Sequence, residues 1–138
     1  PAPGGTGAIA CMRLALADAG LEPGDIRQVN AHGTSTPLND AAEAAAVTEV
    51  FGARGVPVVS TKGVTGHALG AAGALEAAAV LLSMQHGLIP PTAGTTQLDD
   101  GFEIDLVMGQ ARPWTPGPSM SNSLGFGGHN GSIILGPA

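Results

Sequence analysis

The chain is poor in charge, in aromatic rings and in cysteine. Of its 138 residues 12% are charged and 3% aromatic, with no tyrosine and one tryptophan. That charged share is about half the usual one for a globular domain, so much of the surface is expected to be covered by another part of the same protein or by a partner subunit. Five basic residues, Arg13, Arg27, Arg54, Lys62 and Arg112, stand against eleven acidic ones for a net charge of −6. That balance argues against nucleic acid as a partner. The one cysteine, Cys11, cannot close an internal disulfide. No apolar run approaches the roughly 20 residues that a membrane span needs, and no leader pattern opens the chain; a cytoplasmic setting is the expectation. Pro1–Gly5 carries no initiator Met and runs straight into helical patterning, so a piece of something longer is expected.

What is abundant is small and apolar: hydrophobic residues make up 43% and glycine numbers 22. The length suits one domain over 1–138. Residues 7–19 carry apolar side chains at helical spacing, with Cys11 inside and Gly20 as the C-cap. Residues 26–31 read as a short strand stopping at His32, and a second helix runs from Leu38, capped by Asn39 or Asp40, to Gly52. The run 56–60 has the continuous apolar character of a strand buried on both faces. A long helix is predicted over about 67–86, then a proline-bearing connection, a strand at 103–107, and two last strands at 119–125 and 130–136 flanking FGGH. Helices and strands alternate early and strands dominate late, which indicates a layered α/β architecture around a largely buried sheet.

Three glycine-rich junctions follow strand-like runs: AHGTSTP at 31–37, STKGVTGH at 60–67 and NSLGFGGHN at 122–130. In open α/β sheets, ligands bind at such strand ends. Lys62 is the only lysine, and Glu76 is the only acid in the long helix. A lone carboxylate among Ala, Leu and Val costs several kcal/mol to bury unpaired, so Lys62 is its natural partner, either as a structural pin or as the charge that tunes a nearby histidine. His67 is placed at the start of that helix, where the dipole disfavours imidazolium and a neutral ring can donate one N–H. His32, His67 and His129 lack short metal-ligand spacing, and no second cysteine is present. Gly66, Gly70 and Gly73 do not have the dinucleotide spacing, and no G-x-S-x-G or P-loop pattern occurs.

VNAHGTSTPLNDAAEAAAV, VVSTKGVTGHALGAAGALEAA, IPPT and SNSLGFGGHNGS, in that order, resemble the C-terminal part of an elongating, type II β-ketoacyl-[acyl-carrier-protein] synthase. The resemblance implies a thiolase-like fold built of two similar α/β halves, of which this chain is most of the second, with a mixed buried sheet. It implies a Cys-His-His triad in which His32 and His67 match the two histidines. The chemistry it implies is decarboxylative condensation: an acyl chain on the cysteine is attacked by the carbanion left when malonyl carrier protein loses CO₂. N–H donors aimed at the developing oxyanion are what such a step needs.

By the same resemblance, Lys62 and Glu76 form a buried pair supporting the second histidine, and Thr34 and Thr36 bind the phosphopantetheine arm. Phe126 gates the acyl pocket and its backbone N–H joins the oxyanion hole, while Gly127 and Gly128 let that loop swing. In some relatives, groups matching Asn30, Glu76, Ser121 and Asn130 surround a monovalent cation or water. No cofactor is implied; the substrates ride on acyl carrier protein, and the assembled enzyme is a homodimer. The nucleophile has no match here: Cys11 reads as a small core residue, and His129 stands where many relatives carry threonine. The chain alone is therefore expected to be inactive without the half that carries the cysteine. Carrier protein is acidic, as this chain is, so the basic docking residues are expected on that other half. HGTSTP leans toward fatty-acid over polyketide service. The competing reading is a non-catalytic, chain-length-determining ketosynthase-like subunit.

Overall fold

Helical spacing of small and apolar residues builds α1 (Thr6–Ala19), which ends at Gly20 as its sequence predicts. In the computed structural model, which describes residues 3–138, it is followed by β1 (Gln28–Asn30), α2 (Pro37–Phe51), β2 (Pro57–Val59), the short α3 (Lys62–Thr65) and α4 (Ala72–His86). The strands β3 (Leu88–Ile89), β4 (Asp105–Leu106), β5 (Arg112–Pro113), β6 (Ser119–Leu124) and β7 (Asn130–Leu135) complete it. Pro1 and Ala2, with which the domain read from the sequence begins, lie outside the described residues.

Three of the local readings are corrected. The cap of α2 is Thr36, whose Oγ1 accepts the Asn39 N–H at 3.4 Å, and not Asn39 or Asp40; Pro37, with φ already suited to a first helical turn, moves the start upstream. The long helix does not begin at His67. Leu69 has φ 50, in the left-handed region, which a right-handed helix of L-residues cannot continue through, so a 3-10 turn at Leu69–Ala71 precedes α4. Each strand is shorter than its apolar run, and the pairing of β3 with β5 was not legible: two residues are too few to show a period.

The sheet order is β4-β2-β1-β6-β7, parallel except for the antiparallel β6–β7 edge. It is the mixed α/β sheet expected. Its two faces differ. Val29 of β1, Val58 of β2 and Met120 of β6 join Met12, Leu16, Ala46 and Val47 in the main core under α1 and α2. Gln28 points the other way, its Nε2 donating to Ser83 Oγ of α4 at 2.6 Å. Because side chains alternate along a strand and Asn30 pairs in register with Ser121, Asn30 and Ser121 share the α4 face with Gln28. A smaller cluster of Val59, Ile89 and Val107, with Trp114 against it, closes the far end, and Trp114 Nε1 donates to the Ser83 carbonyl at 3.1 Å.

Met120 is fully buried at the centre of the larger core. Met120→Ala is expected to cost about 2–5 kcal/mol in urea unfolding, and a loss below about 1 kcal/mol would show that this face collapses around the gap.

Candidate active site

The parallel strands β1 and β2 release their chains at the same end of the sheet. His32 comes two residues after β1 and Lys62 three after β2. His32 is 8% exposed. Its ring meets that of His67 edge-on, with centroids 5.2 Å apart and planes at 82°. The exposed His67 lies in the turn before α4, so the helix-start dipole assigned to it from the sequence does not act there directly. What fixes it is local: its Nδ1 accepts the Leu69 N–H at 3.2 Å. With Nδ1 an acceptor, a neutral ring carries its proton on Nε2 and has an N–H to offer. The left-handed turn at Leu69 aims that backbone donor.

Lys62 Nζ and Glu76 Oε1 form an ion pair whose side chains are 6% and 2% exposed. The pairing read from their solitude in the sequence is thus present. Burial first, then the nearby charge of Lys62, then His67, lower the His32 pKa from its ordinary 6.5 to about 4. The imidazole is therefore neutral at pH 7, with one ring nitrogen a donor and the other an acceptor.

Among the described residues, Glu76 Oε2 and Asn30 Oδ1 are buried oxygens without a hydrogen-bond partner. They share the α4 face with Ser121, and as oxygens they suit a monovalent cation or a water. Asn130 does not join them. It pairs with Leu124 at the start of β7, and its Nδ2 lies against Gly7 of α1, on the opposite face of the sheet. Thr34 and Thr36 turn their hydroxyls to each other at 3.1 Å. Thr34 also lines a cavity of about 490 Å³ between α2 and the 92–102 segment, with Ser35, Asp40, Lys62 and Thr92 in its wall. Phe126 is fully exposed in a 3-10 turn with Gly127 and Gly128, and the Gly125 N–H bonds the His129 carbonyl at 2.9 Å to close that loop. Cys11 is half-buried in α1, on the other side of the sheet from α4.

One residue was missed. Glu43 of α2 is buried, and its carboxylate accepts the backbone N–H of His32 at 2.8 Å and of Gly33 at 2.9 Å, with the side-chain amides of Asn39 and Asn122 each at 3.3 Å. Burial pushes its carboxyl up from the ordinary glutamate range, against the pull of those four donors. It holds the His32 turn from below. The signal was available: Glu43 is an acid inside AAEAAAV, the same pattern that singled out Glu76.

The mixed α/β sheet with helices on both faces, and its superposition on solved ketosynthases, make this a thiolase-like chain. The family model for the beta-ketoacyl synthase C-terminal domain matches residues 1–96, and the chain belongs to that family. It is 44% identical over 137 residues to the 3-oxoacyl-[acyl-carrier-protein] synthase 2 of Coxiella burnetii, covering 98% of this chain and 33% of that protein. The structure superposes on a beta-ketoacyl synthase from Burkholderia phymatum with a TM-score of 0.91 and 41% identity, over 94% of this chain and 32% of that one. It also matches a structure described as a type II PKS acyl-carrier protein in complex with its ketosynthase, at TM-score 0.89 and 32% identity, over 94% and 32% of the two chains. The chain spans about a third of the length of the curated relatives it matches.

The depressed pKa of a histidine gives a definite sign. Its contribution to stability is present above the ordinary pKa of 6.5 and is lost as pH falls through the folded value of about 4. The stability difference between wild type and His32→Ala should shrink across that window, and the His32 ring should titrate near pH 4 by NMR. A midpoint at its ordinary value would mean that neither burial nor Lys62 acts on it.

Proposed function

We propose that this chain supplies the histidine half of a β-ketoacyl-[acyl-carrier-protein] synthase active site, an acyltransferase that elongates a fatty-acid or polyketide chain. The observation that carries the reading is the edge-on pair of His32 and His67, backed by the buried Lys62–Glu76 ion pair. In the reaction, the bond between the malonyl Cα and its carboxylate breaks and CO₂ leaves. The electron pair moves onto the thioester oxygen as an enolate, and the N–H donors of the two rings stabilise that charge. The enolate carbon then attacks an acyl thioester on a cysteine and expels the thiolate. The two rings bind charge that develops only during decarboxylation, so their effect falls on rate.

The cysteine must come from elsewhere, because Cys11 lies across the sheet from the histidines. The complementary half of the synthase supplies it and covers α4, whose Leu75, Leu81 and Leu82 are about half exposed. The chain alone is inactive. No cofactor takes part: the substrates arrive on acyl carrier protein, and Thr34 and Thr36 take its phosphopantetheine arm. Phe126 on its glycine-bounded turn opens and closes the acyl pocket. Asn30, Glu76 and Ser121 hold a monovalent cation or a water that fixes the ion pair's free oxygen. The assembled enzyme is a homodimer that works in the cytoplasm. Separately, no described helix is long and apolar enough to cross a membrane. A chain-length-determining subunit that does no chemistry is the poorer reading, because it would have no use for both rings and the buried lysine.

With the complementary half present, His32→Ala and His67→Ala should each slow malonyl-carrier-protein decarboxylation by about 10²–10³-fold, followed as CO₂ release. Unchanged release in both variants would remove the assigned roles. Lys62→Ala leaves Glu76 charged and buried without its partner and should lower stability by about 3–5 kcal/mol as well as activity; wild-type melting and turnover together would show the pair to be dispensable.

A further inference from the structure

The last backbone bond between β1 and β2 at the active-site end runs from the Ala31 N–H to the Val59 carbonyl, at 2.8 Å. Beyond it the two chains part, one toward His32 and the other toward Lys62. A buried hydroxyl bridges the gap. Ser60 Oγ donates to the Gly33 carbonyl at 3.0 Å and accepts the Lys62 N–H at 3.4 Å, which is what one hydroxyl proton and its lone pairs allow. The approach is close: a Cβ on Gly33 would fall 2.6 Å from the Ser60 side chain.

Behind Ser60 stands a second buried hydroxyl. Thr92 Oγ1 accepts the Ser60 N–H at 3.2 Å, and Thr92 is itself anchored by its N–H on the Val107 carbonyl at 2.8 Å. Its neighbour Ala93 presses its carbonyl on Gly63, where any Cβ would collide with it. A sheet end, the His32 turn, the Lys62 turn and the 92–93 segment thus meet at two hydroxyl groups. Neither hydroxyl reaches an imidazole, the ammonium or the Glu76 carboxylate.

We propose that Ser60 and Thr92 are positioning residues, a two-hydroxyl clasp that keeps the His32 and Lys62 turns in one register for malonyl decarboxylation. The proposal rests on the synthase reading above. A hydroxyl that merely stabilised the fold would affect every property through unfolding. A clasp that places transition-state donors affects the rate of one step, since a loss confined to the transition state lowers kcat with KM little changed.

The test uses Ser60→Ala, Thr92→Val and Thr92→Ser in the synthase assembled with its complementary half. Valine keeps the shape of threonine and loses its acceptor, whereas serine keeps the acceptor. Ser60→Ala and Thr92→Val should lower kcat for decarboxylation about ten-fold with KM within about two-fold, and Thr92→Ser should recover most of the rate. A rate close to wild type in both hydroxyl-less variants overturns the clasp. So does a rise in KM alone, or equal loss of folding in all three variants, serine included. Amide hydrogen exchange on the same samples keeps the two readings apart. Exchange should quicken in peptides covering 30–36 and 60–66 of the hydroxyl-less variants, and unchanged exchange there overturns the clasp even if the wild-type assembly releases no CO₂. Absence of that release with quickened exchange would instead sink the synthase reading, and with it the role in decarboxylation, leaving only the mechanical link between the two turns.

Discussion

Lys62 and Glu76 place opposite charges almost out of reach of water, one on the turn after β2 and the other in the second turn of α4. Desolvating each ion costs several kcal/mol, and only the charge of the other offsets it. The turn and the helix therefore cannot drift apart without stranding a charge. This couples the end of the parallel sheet to the helix on its far face, and Lys62 also acts on the neutral imidazole of His32. Such a pair is a poor way to gain stability, since apolar residues of similar volume do as well. What it does keep is a positive charge at one defined place, close enough to His32 to lower its pKa.

A second buried carboxylate does a different job. Among the described residues Glu43 has no cation beside it; it is satisfied by two backbone N–H groups and two side-chain amides. Those two backbone donors belong to His32 and its neighbour, so α2 grips the histidine turn through its main chain and leaves the ring free. The rings, the lysine and the two carboxylates come from separate segments of chain, and none of these groups is placed by its own element alone. Asn122, in the middle of β6, reaches both Glu43 and Met12, so the sheet itself carries part of the support.

The two faces of the sheet bury their polar groups differently. One is packed mostly with Val, Leu, Met and Ala beneath α1 and α2, with Asn122 and Glu43 satisfying each other there. The other carries Gln28, Asn30 and Ser121 beneath α4, a helix rich in alanine that can lie close to them. The exposed leucines of α4 point away from this polar layer. A high share of small residues is the compositional trace of helices that lie close against the sheet.

The sequence by itself determined most of the element types and singled out His32, Lys62, His67 and Glu76, while the thiolase-like class came from its resemblance to a family, and Glu43, Ser60 and Thr92 escaped it. The four singled out rest on local facts: glycine-bounded strand ends, a single lysine, and an acid isolated in an apolar helix. Short strands and the two-residue β3–β5 pair escaped because too few residues fall within them to show a period. Tertiary structure alone decided the rest. Alternation along β6 and β7 says that neighbours point opposite ways but not which way, and only pairing with β1 and packing against α1 put Ser121 beside Asn30 and Asn130 on the other face. The turn at Leu69 that aims His67, and the distance between the two histidine rings, likewise depend on where separate segments meet, because a periodicity carries direction along one element and no information about its register against another.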